Sequence, residues 1–468
     1  MKILLIEPPG ELRAQGFFPL GLMYLQAYLK RHDYPGTFIR RLSRSGQMEL
    51  LGFIEEIRPD VVGIPCLTGY RFSSFAMAEA VKMYDPKILV VLGGQHATYL
   101  REQILKEYPF IDYIVRGEGE ESFRRLLDHL STAGCPREIA GVSGRDPRGR
   151  VSEGPLRECI SDLDSLPFPC YDDIAAIGGA VRRFNVLASR GCMYSCSFCS
   201  AADFFGARWR RRSAQNIVAE LRYLKNTFNP HEIVFNDDCL TADLKHSHEL
   251  FDLVSREDFN FRFYIDARID LLDKGLLRKM KEAGVSHIIF GLESGAPGVL
   301  QAVNRRFLFD KARDMVYEAK RLGIMTRANV IVGWPGQGYR AVLETARALN
   351  ELNPYYFKIT PLIIFPGTVL YREAKDKGII SELFWLKKLI YPVYAVMRKK
   401  YFGRIHIYLE SLFLLVSFLG KTRSLRRFSI VLREKLQQRF DYFRLIGLGR
   451  SWKKHLKARG FPRSVLHE

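Results

Sequence analysis

The chain alternates short apolar segments with longer amphipathic ones, in two series, and this alternation limits the folds that are open to it. Four apolar segments mark the strands of the first series: residues 3–6, 60–65, 88–92 and 113–115. Strands that are apolar at successive positions are buried on both faces, as in parallel sheets covered by helices. We therefore expect an α/β fold whose residues 1–140 form a doubly wound, Rossmann-like parallel sheet that binds ligands at the carboxyl ends of its strands.

The second series predicts a partial (β/α)6 barrel over residues 185–370. Its predicted strands are residues 185–190, 231–236, 261–266, 286–291, 326–333 and 356–364. Helical patterns fit between them at residues 214–227, 244–256, 272–283, 310–322 and 340–352. Active sites of such barrels lie at the carboxyl-terminal rim. Residues 141–184 are rich in glycine, proline and charge, which predicts a linker with some local structure.

Positive charge is concentrated in the predicted mainly helical C-terminal region, residues 371–468. The formal net charge is +20, and the 88 residues from Ser381 onward carry 20 Lys and Arg against 5 Asp and Glu. The longest charge-free stretch there, Ser411–Gly420, is short of the roughly 20 residues that cross a bilayer. Four interpretations stay open: a peripheral helix on an anionic membrane, binding to a nucleic acid, an amphipathic helix packed on the barrel, and a solvated basic surface.

Three of the eight cysteines lie close together. Cys192, Cys196 and Cys199 have the spacing C-x3-C-x2-C and follow the first strand of the second series. Three thiolates can bind three irons of a cubane cluster and leave the fourth iron open for catalysis. The odd number disfavours a disulfide, and zinc would need a fourth ligand. The nearest candidates, His231 and Cys239, lie at or beyond the next strand.

Cysteine usage and the N-terminus also indicate a compartment. Residues 1–7 read as a first strand rather than as a secretory signal, and the other cysteines are scattered. We expect a reducing cytoplasmic location, or one at the inner face of the membrane if the C-terminal region binds lipid.

The cysteine motif, with the aromatic residue Phe198 before Cys199, resembles the signature of the radical S-adenosylmethionine (SAM) superfamily. The resemblance implies a [4Fe–4S] cluster on the triad, whose open iron chelates SAM and whose electron cleaves it to a 5′-deoxyadenosyl radical. It also implies an electron donor such as flavodoxin or ferredoxin. Phe198 would lie near the adenine.

The same resemblance implies SAM contacts at the predicted strand ends. Asp237 and Asp238 would bind the amino group, and Arg268 would bind the carboxylate. Glu293 and Ser294 would face the ribose and methionine portions.

A further adenine contact is implied in the segment that ends the fifth barrel strand. Asn329 opens this segment, residues 329–337, which resembles the adenine-contacting stretch of the superfamily. A typical member has Glu where Gln337 stands in this chain.

The first domain resembles the cobalamin (B12)-binding domain of one radical SAM subgroup. The matching pieces are residues 19–22, 59–64, 93–98 and 116–120. Glycines at strand ends let the backbone approach a large ligand, here the nucleotide tail of cobalamin. The candidate contacts are Thr68, Gly93, Gly94, His96, Gly117 and Glu118. The cobalt-binding D-x-H-x-x-G motif does not occur, so the cobalt would have no histidine ligand from that motif, and His96 would contact the tail, cap a helix or bind cobalt.

The subgroup implies cobalamin-dependent methylation of an unactivated carbon or phosphorus in a small-molecule or lipid-like substrate. A non-methylating cyclase or rearrangement enzyme of the same subgroup is the alternative. A tRNA methylthiotransferase would carry a second cysteine triad in its first domain, which this chain lacks, so nucleic acid is disfavoured as a partner. A cobalamin sensor with a degenerate barrel would have a broken triad, whereas this triad is intact.

We predict that Cys196→Ala abolishes the iron–sulfur absorbance that the wild-type chain gains on anaerobic reconstitution with iron and sulfide, because one iron loses its only protein ligand. Cys159→Ala, outside the triad, is the control and should load normally. An unchanged visible spectrum in the Cys196 variant would contradict the assignment of the triad.

Overall fold

The computed structural model describes residues 1–9, 18–42, 47–130, 139–156, 158–171, 183–388, 392–393, 397 and 407–416. These residues fall into two compact units. The first contains the described chain up to residue 171 together with residues 383–388. The second contains residues 183–382 and the described residues after 390.

The first unit is built on a seven-stranded sheet. Its strands are β1 (Ile3–Glu7), β2 (Thr37–Arg41), β3 (Val61–Pro65), β4 (Leu89–Gly93), β5 (Tyr113–Val115), β6 (Val142–Arg145) and β7 (Val151–Glu153). The order is β2-β1-β3-β4-β5-β6-β7, and β1 to β5 are parallel. The chain reverses its winding direction between β1 and β3, which confirms the doubly wound prediction. The ligand crevice of such a sheet lies at the carboxyl ends of the strands beside this reversal.

Among the described residues up to 130, six helices accompany this sheet. They are α1 (Leu20–Arg31), α2 (Gln47–Ile57), α3 (Arg71–Tyr84), α4 (Gln95–Tyr99), α5 (Arg101–Glu107) and α6 (Glu120–Leu130). The central strands β1 and β3 are buried almost throughout, as their unbroken apolar sequences require. The helices therefore shield the apolar sheet from water.

Three strands of this sheet were not predicted, because all three lie away from its apolar centre. β2 carries two arginines and pairs only with β1, as expected of an edge strand. β6 and β7 are antiparallel and lie where the sequence indicates a linker with some local structure. The buried Arg116 holds them to the sheet, since its Nη2 donates to the carbonyls of Gly154 and Pro155 at 2.5 and 3.1 Å.

The second unit contains a six-stranded parallel sheet and a short antiparallel pair. Its strands are β8 (Arg183–Val186), β9 (Ser189–Arg190), β10 (Arg210–Arg211), β11 (Glu232–Phe235), β12 (Arg262–Asp266), β13 (Val285–Glu293), β14 (Met325–Val332) and β15 (Tyr356–Pro361). The order β8-β11-β12-β13-β14-β15 follows the chain without a reversal. Every crossover therefore winds in one direction, as in a (β/α) barrel, and the six-unit prediction is confirmed.

Helices separate the barrel strands at nearly the predicted positions. They are α7 (Ala201–Phe204), α8 (Ala214–Phe228), α9 (Leu244–Ser255), α10 (Lys274–Glu282), α11 (Pro297–Ala302), α12 (Phe309–Arg321), α13 (Tyr339–Leu352) and α14 (Val369–Asp376). The side chains of Ser213, Asp243 and Asp273 accept hydrogen bonds from the first turns of α8, α9 and α10. These caps define where three helices begin.

The region after the barrel contributes to both units. Helix α15 (Phe384–Lys387) belongs to the first unit, where the Trp385 side chain is fully buried. Arg71 Nε donates to the Trp385 carbonyl at 2.7 Å, and Tyr108 Oη donates to the Leu386 carbonyl at 2.8 Å. Helix α16, residues 407–416, belongs to the second unit. No helix within the described ranges has the length and apolar character needed to span a membrane. The predicted basic residues from 417 to 468 lie outside the described residues.

Candidate functional site

The cysteine triad lies on a loop that begins at β9, beside the carboxyl end of the first barrel strand. Hydrogen bonds from two distant segments hold the backbone of this loop. Ser197 N donates to the Val303 carbonyl, and the Ser197 carbonyl accepts from Leu370 N, both at 3.0 Å. The Asn304 side-chain amide donates to Ser195 Oγ at 2.7 Å. The loop is thereby held between the end of α11 and the start of α14, which preorganises the three thiols.

Gly191 begins the cysteine loop. Its backbone conformation favours glycine, and the space around it has no room for a side chain. Its φ is +89°, and a Cβ there would lie 2.1 Å from the Arg208 carbonyl oxygen and 2.9 Å from Phe205 Cβ. Its backbone N–H also donates to the Asp238 carboxylate. The turn into the triad therefore depends on the missing side chain.

Cys239 is a fourth cysteine at the triad, although its position in the sequence suggests only a zinc ligand. Its thiol is buried and forms a hydrogen bond with Cys192. This hydrogen bond lowers the pKa of Cys192 to about 7, and donating it raises the pKa of Cys239. Burial raises the pKa of Cys196, so iron must displace its proton on binding.

The donor set fits a cubane cluster. Three cysteines lie on one loop, and a cubane cluster binds each thiolate through a different iron and leaves its fourth iron open. Cys192 and Cys196 are half-buried and Cys199 is exposed on the same loop. The three thiols could therefore hold a [4Fe–4S] cluster.

The two predicted aspartates follow β11 and contact the entrance to the cysteine loop. Asp237 is buried, and its carboxylate accepts from Ser189 Oγ at 2.5 Å and from Ala188 N at 3.2 Å. Burial raises the pKa of Asp237 to about 7. Asp238 accepts from the backbone of Gly191. Both carboxylates thus support the loop, and binding of the SAM amino group by either one stays a prediction.

Arg268, predicted to meet the SAM carboxylate, already has partners in the protein. Its Nε and Nη2 donate to the buried Asp270 carboxylate at 3.2 and 2.7 Å, and Nη2 also donates to the Arg306 carbonyl. The guanidinium lies 4.2 Å from the ring centroid of Tyr194 in the cysteine loop. Arg268 therefore packs against the triad segment through a cation–π contact.

Glu293 ends β13 in a strained conformation. Its φ is +63°, which is uncommon outside glycine, and the pairing with β14 shifts register between Gly291 and Glu293. A Cβ at Gly291 would lie 2.0 Å from Glu293 Oε1, so that glycine provides the space for the carboxylate. Burial raises the pKa of Glu293 to about 7, against the opposing charge of Arg305. The next residue, Ser294, is fully buried and its Oγ lies 3.2 Å from Thr345 Oγ1.

Asn329 brings an unsatisfied polar atom to β14. Its Oδ1 is buried and has no hydrogen-bond partner among the described residues, as is also true of Asn185 Oδ1 on β8. Asp266 ends β12, and burial raises the pKa of its carboxylate to about 6. Buried polar groups without partners are uncommon and indicate a bound ligand or water.

Phe198 contacts an aromatic residue of the segment after β14. Its ring packs edge-on against Trp334, with centroids 5.2 Å apart. Trp334 is buried, and its indole N–H has no partner among the described residues. The two segments predicted to meet the adenine, residues 198 and 329–337, therefore lie together.

The strand-end loops of the first unit bring together Thr68, Gly94 and His96. Thr68 Oγ1 lies 3.1 Å from His96 Nδ1. Gly94 has φ +91°, and a Cβ there would lie 3.1 Å from the Cys66 carbonyl oxygen. His96 is buried, its ring stands edge-on to Trp385 at 5.9 Å, and its Nε2 has no partner among the described residues. Burial lowers the pKa of His96, so the ring is neutral.

Gly117 and Glu118 form the next strand-end loop. Gly117 has φ +66°, donates to Thr98 Oγ1 at 3.1 Å, and has open space where a Cβ would stand. A Cβ at Gly93 would meet nothing closer than 3.8 Å. The backbone here is therefore open to a large ligand, which fits a cobalamin tail. Glu118 Oε2 accepts from Ile160 N at 2.8 Å, so this side chain also anchors the segment after β7.

Comparison with known families identifies both units. The radical SAM superfamily profile matches residues 186–349, and the B12-binding domain profile matches residues 13–127. The chain is also 30% identical over 413 residues to an uncharacterized methyltransferase of Pyrococcus horikoshii, which covers 86% of this chain and 89% of the relative. The chain belongs to the B12-binding radical SAM enzymes. Its cofactors are accordingly a [4Fe–4S] cluster, SAM and cobalamin.

Two further comparisons extend this result. The chain is 27% identical over 392 residues to an anaerobic magnesium-protoporphyrin IX monomethyl ester cyclase of Rubrivivax gelatinosus, covering 81% of this chain and 70% of the relative. The structure of the radical SAM methyltransferase TsrM from Kitasatospora setae, with cobalamin and a [4Fe–4S] cluster bound, has a TM-score of 0.67 at 18% identity. It covers 81% of this chain and 75% of TsrM. The fold of the B12-binding radical SAM enzyme is thus shared with TsrM.

Several residues of the site were not predicted from the sequence. Asp266 and Glu410, a buried residue of α16, carry no motif that marks them, and Trp334 lies in the predicted segment 329–337 without being singled out there. For the strand residue Asp266, the available signal was a polar side chain at the end of a predicted barrel strand. Glu410 had no such signal, because its contacts come from a helix outside the barrel.

We predict that Gly191→Ala lowers the iron and sulfide bound per chain after reconstitution, because the new methyl group would collide with the Arg208 carbonyl and displace the cysteine loop. Gly206→Ala is the matched control, since Gly206 also has a positive φ, +64°, but open space at its Cβ position. Equal losses in both variants would show that backbone strain alone is responsible, and normal loading of the Gly191 variant would contradict the role of the close contact.

Proposed function

We propose that this enzyme methylates an unactivated carbon of a small-molecule or lipid-like substrate, with SAM as the methyl source. The observation that carries the proposal is the combination in one chain of an intact cysteine triad and a B12-binding sheet with open strand-end glycines. When bound, the cluster and SAM supply a radical that abstracts hydrogen, and cobalamin supplies a methyl group. The names of the Pyrococcus relative and of TsrM as methyltransferases support this choice.

The chain's own residues position and isolate the reacting groups. The Ser197 and Asn304 hydrogen bonds hold the triad, while Glu293 and Asn329 present buried polar groups near the ends of neighbouring strands. Because a carbon radical reacts with water and side chains, a barrel that surrounds it is needed for a specific product.

A cyclase is the second candidate, favoured by the similarity to the Rubrivivax enzyme. The two reactions differ in their SAM products. Methylation yields S-adenosylhomocysteine from the SAM that donates the methyl group, and 5′-deoxyadenosine and methionine from a second SAM. A cyclisation without methyl transfer yields 5′-deoxyadenosine and methionine but no S-adenosylhomocysteine.

The test is an anaerobic assay of the holoenzyme with cluster, cobalamin, reductant and SAM, in which 5′-deoxyadenosine and S-adenosylhomocysteine are quantified together. We expect both products, with S-adenosylhomocysteine falling to background when cobalamin is left out. Deoxyadenosine alone, under all conditions and with candidate substrates present, would favour the cyclase. Neither product from protein with an intact cluster spectrum would contradict both candidates.

We further propose that the electron donor is a flavodoxin or ferredoxin of the cytoplasm. The cluster loop is accessible to such a partner, since Cys199 is exposed and the Met193 side chain is 49% exposed. None of the seven cysteines in the described ranges forms a disulfide, which suits a reducing compartment.

The outer face of α16 supports a contact with membranes or lipid. Ile407, Glu410 and Leu414 are buried on one side, while Leu409 and Leu412 are 56% and 43% exposed on the other. An exposed apolar stripe next to a strongly basic sequence is typical of helices that lie in the interface of anionic membranes. We propose that α16 docks the enzyme at the inner face of the membrane.

We predict that Leu409→Glu with Leu412→Glu reduces cosedimentation with phosphatidylserine-containing vesicles, because the apolar stripe would carry two charges. Met83→Glu with Tyr317→Glu is the matched control, as both side chains are exposed elsewhere, at 76% and 53%. Vesicle binding that is equal in both double variants would contradict docking through α16. These substitutions change only the exposed face of the helix. Deleting the C-terminal region would also remove the buried Trp385 and so disturb the first unit.

A further inference from the structure

A buried carboxylate from outside the barrel contacts the segment that follows β14. Glu410 is 5% exposed in α16. Its Oε1 accepts from Gln337 Nε2 at 2.6 Å, and its Oε2 accepts from Gly333 N at 3.3 Å. Burying a carboxylate is costly unless its oxygens are hydrogen-bonded, and here each oxygen accepts from a donor in this segment.

Gln337 uses both ends of its amide in this arrangement. Its Oε1 accepts from Trp334 N at 2.9 Å, while its Nε2 donates to Glu410. An ionised glutamate at position 337 could accept from Trp334 but could not donate, and it would place a second carboxylate against Glu410. Gln337 and Glu410 are therefore a matched pair: the carboxylate on α16 requires the amide on the loop.

The segment that this pair holds, residues 333–337, faces the cysteine loop. Gly333 and Gly336 have φ values of +81° and +71°, so the segment is a tight turn that needs fixed partners. Trp334, in its middle, packs against Phe198 and keeps an indole N–H without a partner among the described residues. A buried donor beside the aromatic residue of the cluster motif is suited to an acceptor atom of a bound ligand.

We propose that Glu410 is a positioning residue for SAM, which acts from the C-terminal region through its hydrogen bonds to Gln337 and Gly333. By fixing Gln337 and Gly333, it sets the turn that places Trp334 against Phe198 at the adenine side of the SAM site. This inference rests on SAM binding to the barrel and is independent of whether methylation or cyclisation follows.

The test is SAM binding by cluster-loaded protein without cobalamin, measured by equilibrium dialysis, with tryptophan fluorescence as a second readout. We expect Gln337→Glu to raise the SAM dissociation constant about tenfold or more, because two carboxylates would face each other. Adding Glu410→Gln to this variant should restore binding to within about twofold of wild type, since the exchanged pair can form the same hydrogen bonds. Glu410→Gln alone replaces the charged pair with a weaker, neutral one. Its SAM dissociation constant should lie between those of wild type and the Gln337→Glu variant.

Thermal unfolding of the same proteins without SAM separates positioning from stability. Glu373→Gln, an exposed carboxylate change on α14, is the control and should leave SAM binding unchanged. The proposal is overturned if the Gln337 variant is destabilised but binds SAM as tightly as wild type, or if the exchange of the pair restores stability but not SAM affinity. Because the readout is SAM affinity, this result does not depend on the products of the reaction.

Discussion

The backbone hydrogen bonds that hold the cysteine loop are the constraint on which the rest of the site depends. Ser197 is bonded on one side to the end of α11 and on the other to the start of α14, and Gly191 lets the loop pass beneath the Arg208 carbonyl. Three thiols on a free loop would sample many arrangements, and cluster binding would have to order them. Here the barrel has already ordered them, so the binding free energy of the cluster is not spent on shaping the loop.

The rim around the triad contains buried carboxylates, and these make the site less stable than an apolar rim would be. Burial raises the pKa of Asp237 and Glu293 to about 7 and that of Asp266 to about 6. The unfolded chain releases these protons near pH 4, so each group lowers the free energy of unfolding as the pH rises from about 4 towards its folded pKa. Apolar side chains at these positions would make the protein more stable. Buried carboxylates that are kept in spite of this cost are typical of functional sites.

The sequence predicted the strands and most helices closely because the central strands are apolar without interruption, and the triad because its residues are close in sequence. The polar residues at strand ends were implied by the resemblance to the radical SAM superfamily. The edge strand β2 and the antiparallel strands β6 and β7 were missed, since half-exposed strands lack an unbroken apolar pattern. The Glu410–Gln337 contact could not be foreseen, because it joins residues 73 positions apart through a helix outside the family motifs.

Helix α15 belongs to the first unit although it follows the barrel in sequence, and this affects how the protein folds during translation. Trp385 is among the largest fully buried side chains, and its neighbours Arg71 and Tyr108 belong to the N-terminal sheet and helices. The sheet is therefore translated more than two hundred residues before the segment that completes its core. The ribosome must synthesise the whole barrel before it adds the segment that completes the first domain. The N-terminal domain consequently remains incomplete on the ribosome, with the surface near His96 uncovered, until the barrel behind it has been made.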